Sequence, residues 1–449
     1  MKPSHPQRVA QRLIAPLQQP TQNSALLTSN DIPLGGIRSD RENGIPRGFS
    51  LEADGLYMQD RGGAASELIR ISDRLEVAAY ARAPESDRWG KLLIWLDPDG
   101  RKHEHVMPMS STQGDGLDIF RLLADGGLGI APGIEPRRAL IQYLVEATPK
   151  QRITLVSKTG WHSLEGQDVF VLPDRTLGQL SGDVQVRLTS SGAATPYVTS
   201  GSAEDWRDNV APLCAGNSRL LVAVGSAFAA VLLHFTEIDG GGIHFLGTSS
   251  TGKTTAGHAA LSVFGPPRQM QRWRATGNGI EAIAATHNSL LLVLDELGQV
   301  EPREAGEIAY MLSNGQGKQR SIRSGDAAAR RSWRLLFLST GEVGLSQHMA
   351  TAGKQVRAGQ EVRLVELQAD AGKGYGLFDQ LNGQAGGAAL SEAIRATARS
   401  YHGAVGLEFI RLAAHNAKTL EGDVRISVSE FVQECKAEFT ATGEFGGQA

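Results

Sequence analysis

Polar and apolar positions alternate unevenly along the chain, and the changes of rhythm mark its parts. Residues 1–45 are rich in Pro, Gln, Ser and Asn with little periodicity, the pattern of a mobile or loosely packed arm. From residue 46 to about 200 short alternating runs dominate. "GFSLEADGLYMQD" (48–60) reads as strand, turn at Ala53-Asp54-Gly55, strand, and "LIRISDRLEVAAYARA" (68–83) as two more short strands. "GKLLIWLDPDGRKHEHVMP" (90–108) predicts a hairpin turning at Asp97-Pro98-Asp99-Gly100. "LDIFRLLADGGLGI" and "RRALIQYLVEA" carry a helical period, and a further β-rich segment runs from residue 152. This makes a mixed α+β region.

After Trp206 the rhythm becomes that of alternating strands and helices. Strands are expected at 242–246, 270–276, 289–295, 332–340 and 360–370, with helices at 278–288 and 304–315 between them and more from about 388 to 414. That order predicts an α/β P-loop fold of the additional-strand type, a parallel sheet with helices on both faces. It would occupy residues 201–380, with a helical lid over 381–449.

The chemistry enters at "GTSSTGKTT" (247–255), which fits G-x-x-x-x-G-K-[ST]. It follows the short apolar run "GIHFL" and precedes a segment with Ala256, Ala259, Ala260, Leu261 and Phe264 on a helical period. Between a buried strand and a helix N-terminus, Gly247, Thr248, Ser249, Ser250, Thr251, Gly252, Lys253, Thr254 and Thr255 would cradle phosphates. Lys253 would neutralise the β- and γ-phosphates of ATP, and the Thr254 hydroxyl would hold Mg²⁺. About forty residues on, "SLLLVLDELGQ" ends a buried run in Asp295-Glu296. Asp295 would stand in the outer sphere of the Mg²⁺, and Glu296 would polarise the attacking water.

Ser339 and Thr340 end the fourth strand of this region. If that strand lies between the two others, their hydroxyls would sense the γ-phosphate; otherwise they cap a strand. Thr276 and Asn278, at the end of the second strand, are candidates for restraining Glu296 until substrate binds. His258 reads as packing. "GKQRSIRSGDAAARRSWR" (317–334) carries Lys318, Arg320, Arg323, Arg330, Arg331 and Arg334 against the single acid Asp326. It predicts either a basic hairpin following a nucleic-acid backbone by charge or a solvated basic loop. Of Arg357 and Arg363, Arg363 is favoured as an arginine that completes the site of a neighbouring subunit.

Composition narrows the setting. The net charge of −3 leaves no global basic footprint, so contact with nucleic acid must be local. Two cysteines far apart, Cys214 and Cys435, suit a reducing cytoplasm. No apolar run reaches the roughly 18–20 residues of a membrane span; the nearest, 220–235, fits a buried helix.

Several stretches together resemble the DUF927 domain proteins of bacteria and mobile elements. They are "GWH…FVLPD" (160–174), "CAGNSRL" (214–220), "HFLGTSSTGKTTA" (244–256), "WRATGNGIEA" (273–282), "LVLDELGQV" (292–300), "YMLSNGQGK" (310–318), "FLSTGE" (337–342) and "AGQEVR" (358–363). The resemblance runs from about Phe49 through most of the chain. Such proteins are described as helicase- or primase-associated ATPases, and their core resembles AAA+ helicases of the MCM-like kind, which form hexameric rings on DNA. The resemblance implies nucleotide roles for Lys253, Thr254, Asp295 and Glu296. It also implies a sensor at Ser339/Thr340, a DNA-facing hairpin and Arg363 acting in trans. A primase would be a separate chain. Family members usually continue for another helical segment past "ATGEFGGQA", so the lid here is expected to be truncated or naturally short.

Two functions of different class follow. One is a ring-shaped, ATP-dependent DNA translocase or helicase serving replication of a mobile element. The other is an ATPase that remodels a protein complex through residues 46–200. Replacing Lys318, Arg320 and Arg323 by Ala discriminates them, because only the translocase depends on those charges.

Overall fold

The computed structural model describes residues 27–29, 44–59, 67–114, 116–164, 166–178, 185–189, 196–318 and 330–442. Within the expected loose arm, β1 (Leu27–Ser29) is a strand. The first hairpin is β2 (Phe49–Leu51) and β3 (Leu56–Gln59), closed by the Glu52 N–H donating to the Gly55 carbonyl. With β4 (Leu68–Ser72) they form one small antiparallel sheet.

Next come β5 (Leu75–Arg82), β6 (Gly90–Leu96) and β7 (Lys102–Pro108), all antiparallel neighbours. The helices Leu117–Asp125 and Ile134–Glu146 follow, then β8 (Gln151–Val156), β9 (Gly160–Leu164), β10 (Gln167–Val171), β11 (Arg175–Leu177) and β12 (Gln185–Leu188). Five of these make a mixed sheet in the order β12-β8-β5-β6-β7, and β1 pairs with β11 in a second sheet, β1-β11-β10-β9. A register shift between Val77 and Ala79 turns β5 over, so that Leu75 and Val77 pack against the helices while Ala79 and Ala81 face the other way with Ile94 and Ile153. The five-stranded sheet is rolled. Its opposite edges meet where Arg187 of β12 donates to the Glu104 carboxylate of β7 at 2.7 Å. Buried Lys91 caps the helix Ile134–Glu146, donating to the carbonyls of Leu144, Val145 and Ala147 at 2.9, 2.8 and 2.6 Å.

The rest is built on β13 (Gly241–Leu246), β14 (Gln271–Arg272), β15 (Leu291–Asp295), β16 (Leu336–Gly341) and β17 (Leu364–Gln368). Every pair is parallel, in the order β14-β15-β16-β13-β17. The helix Lys253–Leu261 covers one face; Pro302–Asn314 and Gly277–Thr286 cover the other. Four expected strands are shorter than the sequence suggested, β15 by only its first two residues. Buried Trp273 ends β14 by turning into the core, Ala358–Glu361 is a helical turn ahead of β17, and Ser332 sits in an isolated bridge to Gln316. The helices Gly387–Ser400, Ala404–His415 and Ala417–Thr442 close the described chain.

One core cluster joins Trp161, Phe170 and Leu177 of the β9–β11 sheet to Phe245, Ala256, Val293 and Leu338 of the parallel sheet. Packing is therefore continuous across residue 200. The helix Ser218–Leu232, with its 3-10 continuation to Phe235, spans 18 residues and is apolar enough to cross a membrane by length and composition. Here Leu220, Ala223, Ala227, Ala230 and Val231 are buried in that same cluster, the environment expected from the sequence. Cys214 and Cys435 are both free thiols, and burial pushes the Cys214 thiol up to about 12.

Candidate functional site

Parallel strands end together, and four chain segments meet at the C-terminal edge of this sheet. β13 runs into the Gly247–Gly252 turn, where the Gly247 N–H donates to the Gly341 carbonyl at the end of β16. Gly252 stands at φ +98°, a backbone that side chains rarely adopt, and starts the helix with Lys253 as its first residue. A Cβ on Gly247 would come within 3.0 Å of the Ala369 methyl, so the turn is closely sleeved by the segment after β17. That segment holds it through two backbone bonds, Ala369 N–H to Leu246 and Leu377 N–H to Thr251, each 2.8 Å. Thr248, Ser249 and Ser250 are exposed on the turn and Thr254 on the first turn of the helix, while Thr255 is buried.

Lys253 is buried. Its ammonium donates to the carbonyls of Gly247 and Thr248, both at 2.7 Å. On the adjacent strand β16, the Thr340 hydroxyl donates to the Asp295 carboxylate at 2.5 Å and accepts from the Glu296 N–H at 3.2 Å. Glu296 lies at φ 65°, ψ 77°, left-handed for a residue with a side chain. Strain of this kind costs on the order of 1–3 kcal/mol and survives where the surroundings impose it. The Thr340 hydrogen bond is one such restraint.

The expected Ser339-Thr340 pair splits. β16 does lie between β13 and β15, but only Thr340 faces the Asp295 side. The Ser339 hydroxyl is buried on the opposite face in a relay. The Trp273 indole N–H donates to Ser339 at 2.9 Å, and Ser339 bonds His244 Nδ1 at 2.8 Å. His244 Nε2 meets the Val343 carbonyl at 3.1 Å. A carbonyl only accepts, so Nε2 carries the ring proton and Ser339 donates to Nδ1. Ser339 is therefore bonded within this relay, on the face away from Asp295. Burial, with a smaller push from the Lys253 charge, takes the His244 pKa down to about 4. The folded state holds this ring neutral, so its contribution is intact above about pH 6.5. It is lost as pH falls from there toward 4, by up to roughly 3 kcal/mol. Melting of the protein and of His244→Gln across that window checks this; the variant is expected to show a shallower acid slope.

Thr276 caps the helix Gly277–Thr286, its hydroxyl accepting from the Gly279 N–H, which accounts for it without Glu296. Sequence reasoning missed Arg395 and Arg399. The pair, four apart on the helix Gly387–Ser400, adds to burial in pushing His258 down, while Asp295 opposes that shift. The readable signal was two arginines on one helical face.

The remaining candidates lie elsewhere. Arg363 is at the start of β17, the opposite end of the sheet, 4.7 Å over the Tyr310 ring and donating to the Gly359 carbonyl at 2.9 Å. Arg357 is exposed. At that same end, Gly315–Lys318 and Arg330–Trp333 run antiparallel. Trp333 N–H donates to Gly315, Gly317 N–H to Arg331, and Arg330 Nε to the Gly317 carbonyl at 2.6 Å. Together they form a short paired ladder with Lys318, Arg330 and Arg331 exposed. Arg320 and Arg323 lie outside the described residues.

A hydroxyl at a helix N-terminus, an ammonium ringed by carbonyls and a carboxylate held by a hydroxyl suit a nucleotide with its Mg²⁺, a cation that prefers oxygen ligands. The fold, a parallel sheet with a Gly-rich turn between its β13 strand and the following helix, is shared with a solved structure. The chain is similar to the solved structure titled "SCCmec type IV Cch - active helicase", with a TM-score of 0.67 and 18% identity, covering 88% of this chain and 70% of that one. It matches the apo NrS-1 C-terminal region at 12% identity and a TM-score of 0.29, too slight a likeness to carry an argument. None of the curated proteins matches it. The family model for a domain of unknown function, DUF927, matches residues 49–332, and the chain belongs to that family. The matched range ends before "FLSTGE" and "AGQEVR", two of the stretches that suggested it.

Proposed function

We propose that this protein is an ATP-driven translocase or helicase that moves on single-stranded or forked DNA as a ring of AAA+ subunits. The observation that carries the reading is the convergence of Lys253, Asp295, Glu296 and Thr340 at one edge of a parallel sheet ordered β14-β15-β16-β13-β17. In this reading the 247–255 turn takes the phosphates of ATP on its backbone N–H groups, and Lys253 swings from the Gly247 and Thr248 carbonyls onto the β- and γ-oxygens. Thr254 and Asp295 hold the Mg²⁺ that accompanies ATP and neutralises phosphate charge. Glu296 orients water in line with the γ-phosphorus and accepts its proton. Thr340, bonded to both acidic residues' segment, reports the state of the γ-phosphate to β16. Arg363 leaves the Tyr310 face to reach the neighbouring subunit's nucleotide.

At the opposite end of the sheet the hairpin bearing Lys318, Arg330 and Arg331 contacts the DNA backbone, without reading sequence. A hexamer, a companion primase or replication protein, a cytoplasmic setting and service to a mobile element belong to the same proposal. They are supported by the family likeness and by the fold shared with a helicase.

The hairpin is tested by single-stranded DNA binding across a salt series. Combining Lys318→Ala, Arg330→Ala and Arg331→Ala is expected to weaken binding and to flatten the slope of log K against log salt by about 2, for three lost phosphate contacts. An unchanged slope would remove the hairpin from the DNA path.

A further inference from the structure

The rolled sheet has an open mouth, and a cavity of about 850 Å³ occupies it. It lies where β5, β7 and β8 end and β6 begins. Trp89, Val106, Met109 and Leu155 supply apolar wall, Arg88 and Lys158 supply cationic side chains, and Glu85 a single acid. The β5–β6 turn beside it is strained, with Ser86 at φ 61° and Arg88 at φ 49°. A hairpin of this length needs no such backbone at residues other than glycine. What the turn achieves is the placement of Trp89: its indole N–H is fixed on the Ser86 carbonyl at 3.0 Å, and its ring stands edge-on to Tyr80. Arg88 is paired only loosely, 3.8 Å from Glu85 and 3.3 Å from Asp87, and is largely exposed.

Lys158 links this mouth to the rest of the molecule. It also lines a second cavity, of about 460 Å³, together with Gln316, Ser332 and Arg334 at the paired ladder, and its ammonium lies 3.4 Å from the Ser332 hydroxyl. Lys158 therefore stands between the strand pair that carries Arg330 and Arg331 and a pocket with a fixed tryptophan, with Arg334 and Asp239 beside it in the second cavity. Aromatic rings that stack bases beside cations that follow phosphates are the chemistry of single-strand binding.

We infer that the mouth of the rolled sheet is a subsite for one nucleotide of a DNA single strand, with its base against Trp89 and its phosphate on Lys158. The inference rests on the DNA-binding reading above and adds to it a second contact, in residues 46–200, that grips a base rather than the backbone. It gives the strand two holds on one subunit, one made by charge at the hairpin and one by stacking.

The test is binding of a short labelled oligothymidylate and of an abasic oligomer with the same length and charge. The full chain is used, with Trp89→Ala, Lys158→Gln and the double variant Arg330→Ala/Arg331→Ala beside it. The natural chain is expected to prefer the oligothymidylate, a comparison that needs no variant. Trp89→Ala should weaken oligothymidylate binding by about fivefold or more and erase the preference. Lys158→Gln should weaken both oligomers, as should the arginine variant, which keeps the preference. Equal binding of the two oligomers by the natural chain, or a preference that survives in a folded Trp89→Ala protein, would overturn the subsite and leave the hairpin reading standing. If neither oligomer binds, the DNA reading itself fails.

Discussion

Lys253→Ala is expected to reduce ATP turnover by about a hundredfold or more and to weaken nucleotide binding as well. Lys253 is bonded to two carbonyls of the turn at 2.7 Å and is only 7% exposed, so its charge is desolvated inside the turn and exchanges those carbonyls for phosphate oxygens when ATP binds. Once on the phosphates it acts on charge that develops in the transition state, where removing one donor commonly costs two to three orders of magnitude. Alanine also leaves the Gly247 and Thr248 carbonyls without their donor, so the turn loses a brace of its own. Both effects have the same sign. Turnover assays paired with nucleotide titration separate them, and turnover close to that of the natural chain would exclude Lys253 from phosphate chemistry.

Glu296→Gln is expected to behave differently. Glutamine preserves size and the φ of 65°, so the backbone strain and the Thr340 bond to its N–H remain. Only the proton acceptor is lost. General-base catalysis is worth about two to four orders of magnitude, so kcat should fall by at least a hundredfold while nucleotide affinity stays within a few-fold. If the two variants lost affinity alike, Glu296 would be a structural acid rather than the base.

The parallel core was largely legible because its information is local. The Gly-rich turn, the apolar run ending in Asp295-Glu296 and the Ser339-Thr340 strand each sit within a dozen residues, and the order of elements constrains how they stack. What was not legible depended on which way a side chain turns. Ser339 and Thr340 look equivalent in sequence, yet alternation along β16 sends one to the Trp273–His244 relay and the other to Asp295. Strand ends failed similarly: Trp273 reads as strand but is worth more in the core.

The rolled sheet of residues 75–188 lay beyond sequence reasoning for a different reason. Its closure joins β7 to β12 through Glu104 and Arg187, more than eighty residues apart, and its pairing of β8 between β5 and β12 leaves no turn signal. Buried Lys91 is likewise unreadable as a helix cap, since the helix it caps begins some forty residues later.

The central claim couples the nucleotide site to DNA, and one measurement reaches it most directly. That measurement is ATP hydrolysis by the purified chain with and without single-stranded DNA, beside Glu296→Gln. The account predicts turnover strongly stimulated by DNA in the natural chain and abolished in the variant. Turnover that is indifferent to DNA would contradict it and would turn attention to an ATPase that remodels proteins.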